Sequence, residues 1–299
     1  LEGFRRINGS ECAPHRELRR PDAIEAPRFR AEEFGAEWEF IERPWVDDEP
    51  PIEGNFATDW PSDCIAELRY SLTDDELRRV RELGRETADH FCAAMEEVES
   101  GHTEHRVAAA LAGALRERGI YTPVVLVASD ERIKNFRHPI PTAKRVERLV
   151  MAAVCAERDG LVVSMTRLVN FGKISEDLRR RHNAVCRVDA AYHAATRPGT
   201  RWCDALAAGL KEYEAAGFKD EWLKHHQGGP MGYELRDFKA TPTETRMVVP
   251  NQLAGWNPSI TGTKSEDTIV STGEVLTTCA EWPEVTLGPN ISRADILEK

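Results

Sequence analysis

The chain has 299 residues, 41% hydrophobic and 30% charged, which allows one large domain or two modest ones with a real core. A formal charge of -11 argues against a nucleic-acid partner, and no apolar run approaches the roughly 18 residues that would cross a membrane. The seven cysteines, at 12, 64, 92, 155, 186, 203 and 279, are odd in number, scattered and without a CxxC pair. They read as thiols in a reducing, cytoplasmic setting, and neither as a disulfide frame nor as a zinc site.

Residues 1–62 are rich in charge, proline and tryptophan. One helix fits at 31–41, after which Pro44, Pro50, Pro51 and Pro61 break the pattern. This part is expected to be an N-terminal arm or linker, or the remnant of an upstream domain, and the Leu1 start suggests that a natural N-terminal portion is missing. The second unit is expected over 63–299. Thr73 with Glu76 three residues on predicts a capping box opening a long amphipathic helix to about Val98. An internal repeat follows: Gly101 leads into a helix stopped by Gly119, and Gly199 into one stopped by Gly217, each pair 18 residues apart. Each bracketed helix has another long helix before it, at 73–98 and at 174–195. Strand-like runs follow both, at 123–129, 149–156 and 160–172 in the first half and at 245–250 and 267–272 in the second. Two helices and then strands, used twice, predict an α+β fold closing around a central cleft.

Residues 222–237, WLKHHQGGPMGYELRD, combine two adjacent histidines, an amide, three glycines, a tyrosine and an arginine. The glycines let backbone approach a ligand, while His225, His226, Gln227, Tyr233 and Arg236 supply donors and acceptors. That composition reads as a pocket wall; the plainer reading is a polar hairpin with solvated histidines. Adjacent residues of a strand point to opposite faces, so only one of His225 and His226 is expected to face the cleft, with His225 preferred. His102, His105, His182 and His193 lie on helix starts or faces and are expected to be solvated, as is the RRR run at 179–181.

Four stretches resemble the creatinase and methionine/proline aminopeptidase superfamily, whose fold is called pita-bread, over roughly residues 71–278. PVVLVASDERIKNFRHPIPT resembles its substrate-facing loop, ending here in His138. SMTRLVNFG resembles its D-x-T-R strand, and HHQGGPMGY its H-x-x-G-H-x-x-G loop. WNPSITGTKSEDTIVSTGEVLTT is similar to its terminal E-P, R-x-E-D-T and G-x-E-V-L-T block. Metal-dependent members hold two cations with two aspartates, a histidine and two glutamates. Here those places fall on Ala153, Ser164, Gly229, Asn257 and Glu266, and one hard oxygen ligand does not hold a cation pair. The resemblance therefore implies no metal, no cofactor and no ordinary aminopeptidase.

Creatinase works without metal, with a loop histidine and a terminal glutamate, and those places are His138 and Glu266. A histidine that moves a proton near neutral pH, with a carboxylate to orient it, suits cleavage of a C–N bond. The reading is a metal-independent, creatinase-like hydrolase or lyase for a small polar nitrogen compound, with His138 and Glu266 catalytic and a homodimer completing the cleft. His225, His226, Gln227, Tyr233 and Arg236 form the binding wall, and Trp256 and Asn257 give an aromatic wall and an amide where a ligand stood. Arg132, Arg137, Arg167 and Arg236 are candidate carboxylate clamps, although Arg167 equally suits a tie between the halves. Thr166 stands where creatinase has a glutamate, which speaks against guanidinium recognition. Two rivals remain: an inactive relative that binds a peptide or protein in the cleft, and a mononuclear site rebuilt from His138, His225 or His226 with Glu266.

Overall fold

The computed structural model describes residues 66–289 and 291–299, together with the backbone of Arg5–Arg6 paired antiparallel with Trp38–Glu39. The arm expected at 1–62 lies outside the described residues apart from these two short strands. Where the 31–41 helix was expected, Trp38–Glu39 is extended.

Helix α1, Asp74–Glu96, starts on the expected capping box: Glu76 N donates to Thr73 Oγ1, and Thr73 N to Glu76 Oε2 at 2.7 Å. Asp74, Asp75 and Glu76 place negative charge at the positive end of the helix dipole. Its buried face carries Leu77, Val80, Leu83, Phe91 and Met95 at helical spacing. Each such side chain contributes about 1.5–3 kcal/mol on burial. Helix α2, Glu104–Arg116, is capped by the Thr103 hydroxyl. Both helices pack on a sheet containing β1 (Tyr121–Ser129), β2 (Leu149–Arg158) and β3 (Leu161–Asn170), with the short helix α3, Glu131–Asn135, between the first two. β1, β2 and β3 run antiparallel in that order, and the C-terminal Leu297–Glu298 adds parallel to β3. β3 is buried at all ten positions, because a layer covers each of its faces.

The second half repeats the plan. α4, Glu176–Ala195, and α5, Trp202–Ala215, pack over a smaller sheet of β4 (Gly228–Met231), β5 (Leu253–Trp256) and β8 (Asp267–Val270), in the order β8-β5-β4. A tight hairpin, β6 (Ser259–Ile260) and β7 (Thr263–Lys264), intervenes, and β9 (Glu284–Gly288) pairs with β10 (Ile291–Ala294) near the C-terminus. The repeat extends to individual bonds. Glu104 N donates to Lys144 O and Trp202 N to Arg246 O, while Gly101 N donates to Val146 O and Gly199 N to Val248 O. The bracketing glycines Gly101, Gly119, Gly199 and Gly217 all have positive φ, between 70° and 92°.

The halves join where β3 meets β8. Thr268 Oγ1 accepts from Ser164 N at 2.7 Å and donates to Ser164 O at 2.9 Å, and Thr166 N donates to Glu266 O at 3.1 Å.

Several expectations are corrected. Residues 245–250 are not a strand: only Met247 makes a bridge, to Arg201, and the segment instead supplies carbonyls to the start of α5. His182 and His193 are buried, 1% and 6% exposed, since α4 is covered on one side by β7 and on another by β9 and β10. His182 Nδ1 lies 2.8 Å from Thr263 Oγ1, and His193 Nε2 lies 3.2 Å from Asp189. Within the RRR run, Arg179 pairs with Asp295 at 2.5 Å. The five described cysteines are free, and no described helix is long and apolar enough to cross a membrane.

Candidate active site

His138 lies just beyond α3, in a loop tied to the other half of the molecule by its neighbour. Arg137, 6% exposed, donates to Thr261 Oγ1 at 2.7 Å and pairs with Glu221 at 3.1 Å. The His138 ring centroid is 5.8 Å from those of both His225 and His226, nearly parallel to the second at 15°. Both adjacent histidines thus reach it, contrary to the expected alternation, because they precede β4 and are not bound by its pleat.

The two differ in what their nitrogens do. His225 Nδ1 lies 2.5 Å from the His226 carbonyl and must carry the proton, so Nε2 accepts from Ser259 Oγ at 2.8 Å. Both its nitrogens are engaged. His226 Nδ1 is buried without a partner. Burial, followed by the charges of His138 and Lys264, pulls the His225 pKa well below the usual range; burial and then the Arg236 charge does the same to His226. Both imidazoles are neutral at pH 7.

Glu266 is 5% exposed, and its Oε2 is held by Lys264 Nζ at 2.7 Å and Thr166 Oγ1 at 2.5 Å. This ion pair is buried, unlike the surface pair that a lysine two residues from a glutamate also suggests. Arg236 donates through one guanidinium nitrogen to Gly229 O at 2.7 Å and Gly255 O at 2.6 Å, and its Nε is buried without a partner. A Cβ on Gly255 would stand 2.7 Å from Met231 Sδ and 3.0 Å from both that nitrogen and Ser164 Oγ, so the three side chains converge where Gly255 leaves room. Cys155, across from Ser164 in the β2–β3 ladder, has its thiol pushed up to about 12, by burial first and then by Glu266.

The places matched to metal ligands do not fit a cation pair. Ala153 has no donor, Ser164 offers a hydroxyl, and the carboxylate of Glu266 is already bonded. Asn257 offers an amide whose Oδ1 is buried and unpartnered. Gly229 has φ 151°, and a Cβ there would stand 2.3 Å from Phe238 O, so the position accepts no ligand side chain. Among the described residues, no three His, Cys, Asp or Glu side chains are grouped to hold an ion.

The structure brings together the rings of His138, His225 and His226, with Arg137 next to His138 in the chain; Lys264, the partner of Glu266, acts on His225, and Arg236 acts on His226 and is acted on by Glu266. Five other candidates are engaged elsewhere. Arg167, one residue beyond Thr166 on β3, turns to the opposite face and pairs with Asp267 at 3.0 Å while donating to Thr277 O at 2.7 Å. Trp256 is core, stacked on Tyr192 at 4.2 Å and donating to Thr196 Oγ1. Gln227 donates to the His225 and Trp222 carbonyls and accepts from Tyr213, and Tyr233 donates to Glu76 on α1. Arg132 reaches Glu104, which is fully buried. Sequence reasoning did not single out Lys264, Thr166 or Ser259 as site residues. The K-x-E spacing of Lys264 and Glu266 was the available signal, since alternate residues of an extended segment share a face.

A sequence model described as Metallopeptidase family M24 matches residues 78–277. The Xaa-Pro dipeptidase of Pyrococcus furiosus is 27% identical over 224 residues, covering 70% of this chain. The chain spans 63% of that relative's length. Among solved structures, prolidase from Pyrococcus furiosus superposes with TM-score 0.68 at 22% identity, covering 74% of this chain and 69% of that one. X-Pro aminopeptidase from Thermotoga maritima gives TM-score 0.70 at 18% identity, covering 93% and 73%. At such identities the structural likeness establishes the fold alone.

Proposed function

The chain belongs to metallopeptidase family M24 and has its α+β pita-bread fold, and from that premise we propose that it is a metal-independent hydrolase cleaving a C–N bond of a small polar nitrogen compound. The observation that carries this reading is the group of three histidine rings, two of them neutral, one of which feels the charge of Lys264, whose ammonium holds the Glu266 carboxylate together with Thr166. A carboxylate so occupied suits orienting a substrate or a water molecule better than binding a cation.

In this mechanism His138, backed by the ring of His226, takes a proton from water as its oxygen bonds to the substrate carbon. The resulting imidazolium returns the proton to the nitrogen as the C–N bond breaks. His225, with both nitrogens engaged, positions the Ser259 side of the cleft and takes no part in the transfer.

The test is release of amine or ammonia from a panel of amidines, N-acyl amino acids and Xaa-Pro dipeptides by chelator-treated protein. Turnover without metal is expected, falling by about 10²–10⁴-fold in His138→Ala with thermal stability unchanged. Turnover that appears only on adding a divalent cation, or that persists in His138→Ala, overturns the mechanism. No turnover of any compound favours a protein that uses the cleft for binding alone.

A further inference from the structure

We infer that Lys264 and Arg236 take over the electrostatic place of the cations in metal-dependent M24 enzymes, so that the cleft holds a small carboxylate against two fixed side-chain charges. This rests on the same cleft being the ligand site, as in the reading above, but not on catalysis. Three of the five positions matched to metal ligands adjoin these cations. Lys264 bonds Glu266 directly, while the Arg236 guanidinium bonds the Gly229 carbonyl and lies beside Ser164.

Arg236 makes no ion pair among the described residues. Among those residues its bonds go to two backbone carbonyls, and its Nε is a buried donor without a partner. Leaving a charged group so is costly unless a ligand completes it. The acids that act on Arg236 are Glu266, already shared by Lys264 and Thr166, and Asp237, whose own carboxyl is pushed up to about 6 by burial and by Glu234. Asn257, buried with an unsatisfied amide oxygen, can turn its NH₂ toward an anion, since the two amide orientations are interchangeable. The field reaches the neighbouring rings: Lys264 acts on His225 and Arg236 on His226, each favouring the neutral imidazole. A buried guanidinium with an unfilled donor takes an anion, and a carboxylate matches its planar fork in two-point contact.

The experiment is calorimetric titration of the chelator-treated full chain with N-acetylglycine, and with methylammonium as the cationic control, at fixed ionic strength. Saturable N-acetylglycine binding is expected, weakened about tenfold in Arg236→Met and in Lys264→Met. Arg236→Lys should recover part of it, and Arg85→Met, which removes an exposed charge from α1, should leave it unchanged. If Lys264→Met does not fold because Glu266 loses its partner, Lys264→Met with Glu266→Gln replaces it. The inference is overturned if the wild type does not bind N-acetylglycine, if methylammonium binds as tightly, or if neither Arg236→Met nor the Lys264 variant weakens binding. Carboxylate binding without turnover would remove the hydrolase reading and leave this one; metal-free turnover without carboxylate binding would do the reverse.

Discussion

The two halves set the same backbone around opposite chemistry. In each, a positive-φ glycine leads into a helix whose first residue is fully buried and donates its N–H to a carbonyl of a later loop. In the first half that residue is Glu104. Its carboxylate accepts from Ser129 N and Oγ, Thr142 N and Oγ1, and Arg132, at 2.8 to 3.2 Å. In the second it is Trp202, which packs edge-on to Phe238 and tilted against Trp256, each ring 5.8 Å away. The main-chain frame survives the change because it is secured by its own hydrogen bonds, so the buried side chain is free to be polar or aromatic provided its neighbours match.

The comparison breaks first at Trp202. If it is the hub of the second half, Trp202→Ala costs about 3–5 kcal/mol, read as a fall in the denaturant midpoint. Because Trp256 leads directly into Asn257, the same change should weaken ligand binding in the cleft. A cost no larger than that of an exposed substitution would mean that the aromatic cluster is not the counterpart of the Glu104 network.

Acid sharpens the contrast next. Burial holds the His182 imidazole down to about 4, against the partial opposition of Asp295 and the Ala294 carbonyl, with Arg179 adding to the effect. The unfolded chain takes its proton near pH 6.5. Stability from this group is therefore fully present above that pH and is lost as pH falls toward 4, on the order of 3 kcal/mol in all. A pH series of unfolding midpoints for wild type and His182→Asn should show the wild-type slope between 6.5 and 4 flattened in the variant. The smallest effect lies at the caps. Thr103 accepts from Arg106 N, whereas Arg201 makes no side-chain cap and only an exposed pair with Asp204. Arg201→Thr should add about 0.5–1 kcal/mol, seen as a higher melting temperature.

The duplicated plan was legible because its signals are local. Thr73 and Glu76 form the capping box, the paired glycines adopt the left-handed conformation, and the apolar periods of α1, β2 and β3 became buried faces. The 245–250 run misled because its apolar residues serve a loop that feeds α5, a tertiary role that no period records. Site residues fared unevenly for a similar reason. The burial of the Lys264–Glu266 pair against Thr166 depends on contacts between the halves, so Lys264 went unnoticed although it lies two residues from a named candidate. Arg167 and Trp256 carry the residue types of a binding site, but strand alternation and packing direct them into an ion pair and an aromatic core. His182 and His193 were misplaced because α4 is covered on more than one side, which the polar residues along it conceal.

Gly229 differs in kind from the other positions matched to metal ligands. At Ala153, Ser164 and Asn257 a carboxylate needs only a new side chain, and Glu266 is one already. A histidine at 229 would collide with Phe238 O and press on Ala240 N, 3.0 Å from the new Cβ, until the 238–240 backbone shifts. A metal centre of the M24 type on this chain would therefore need the 238–240 backbone to move as well as a new side chain at 229. Anyone rebuilding that centre would have to redesign the loop before the ligands.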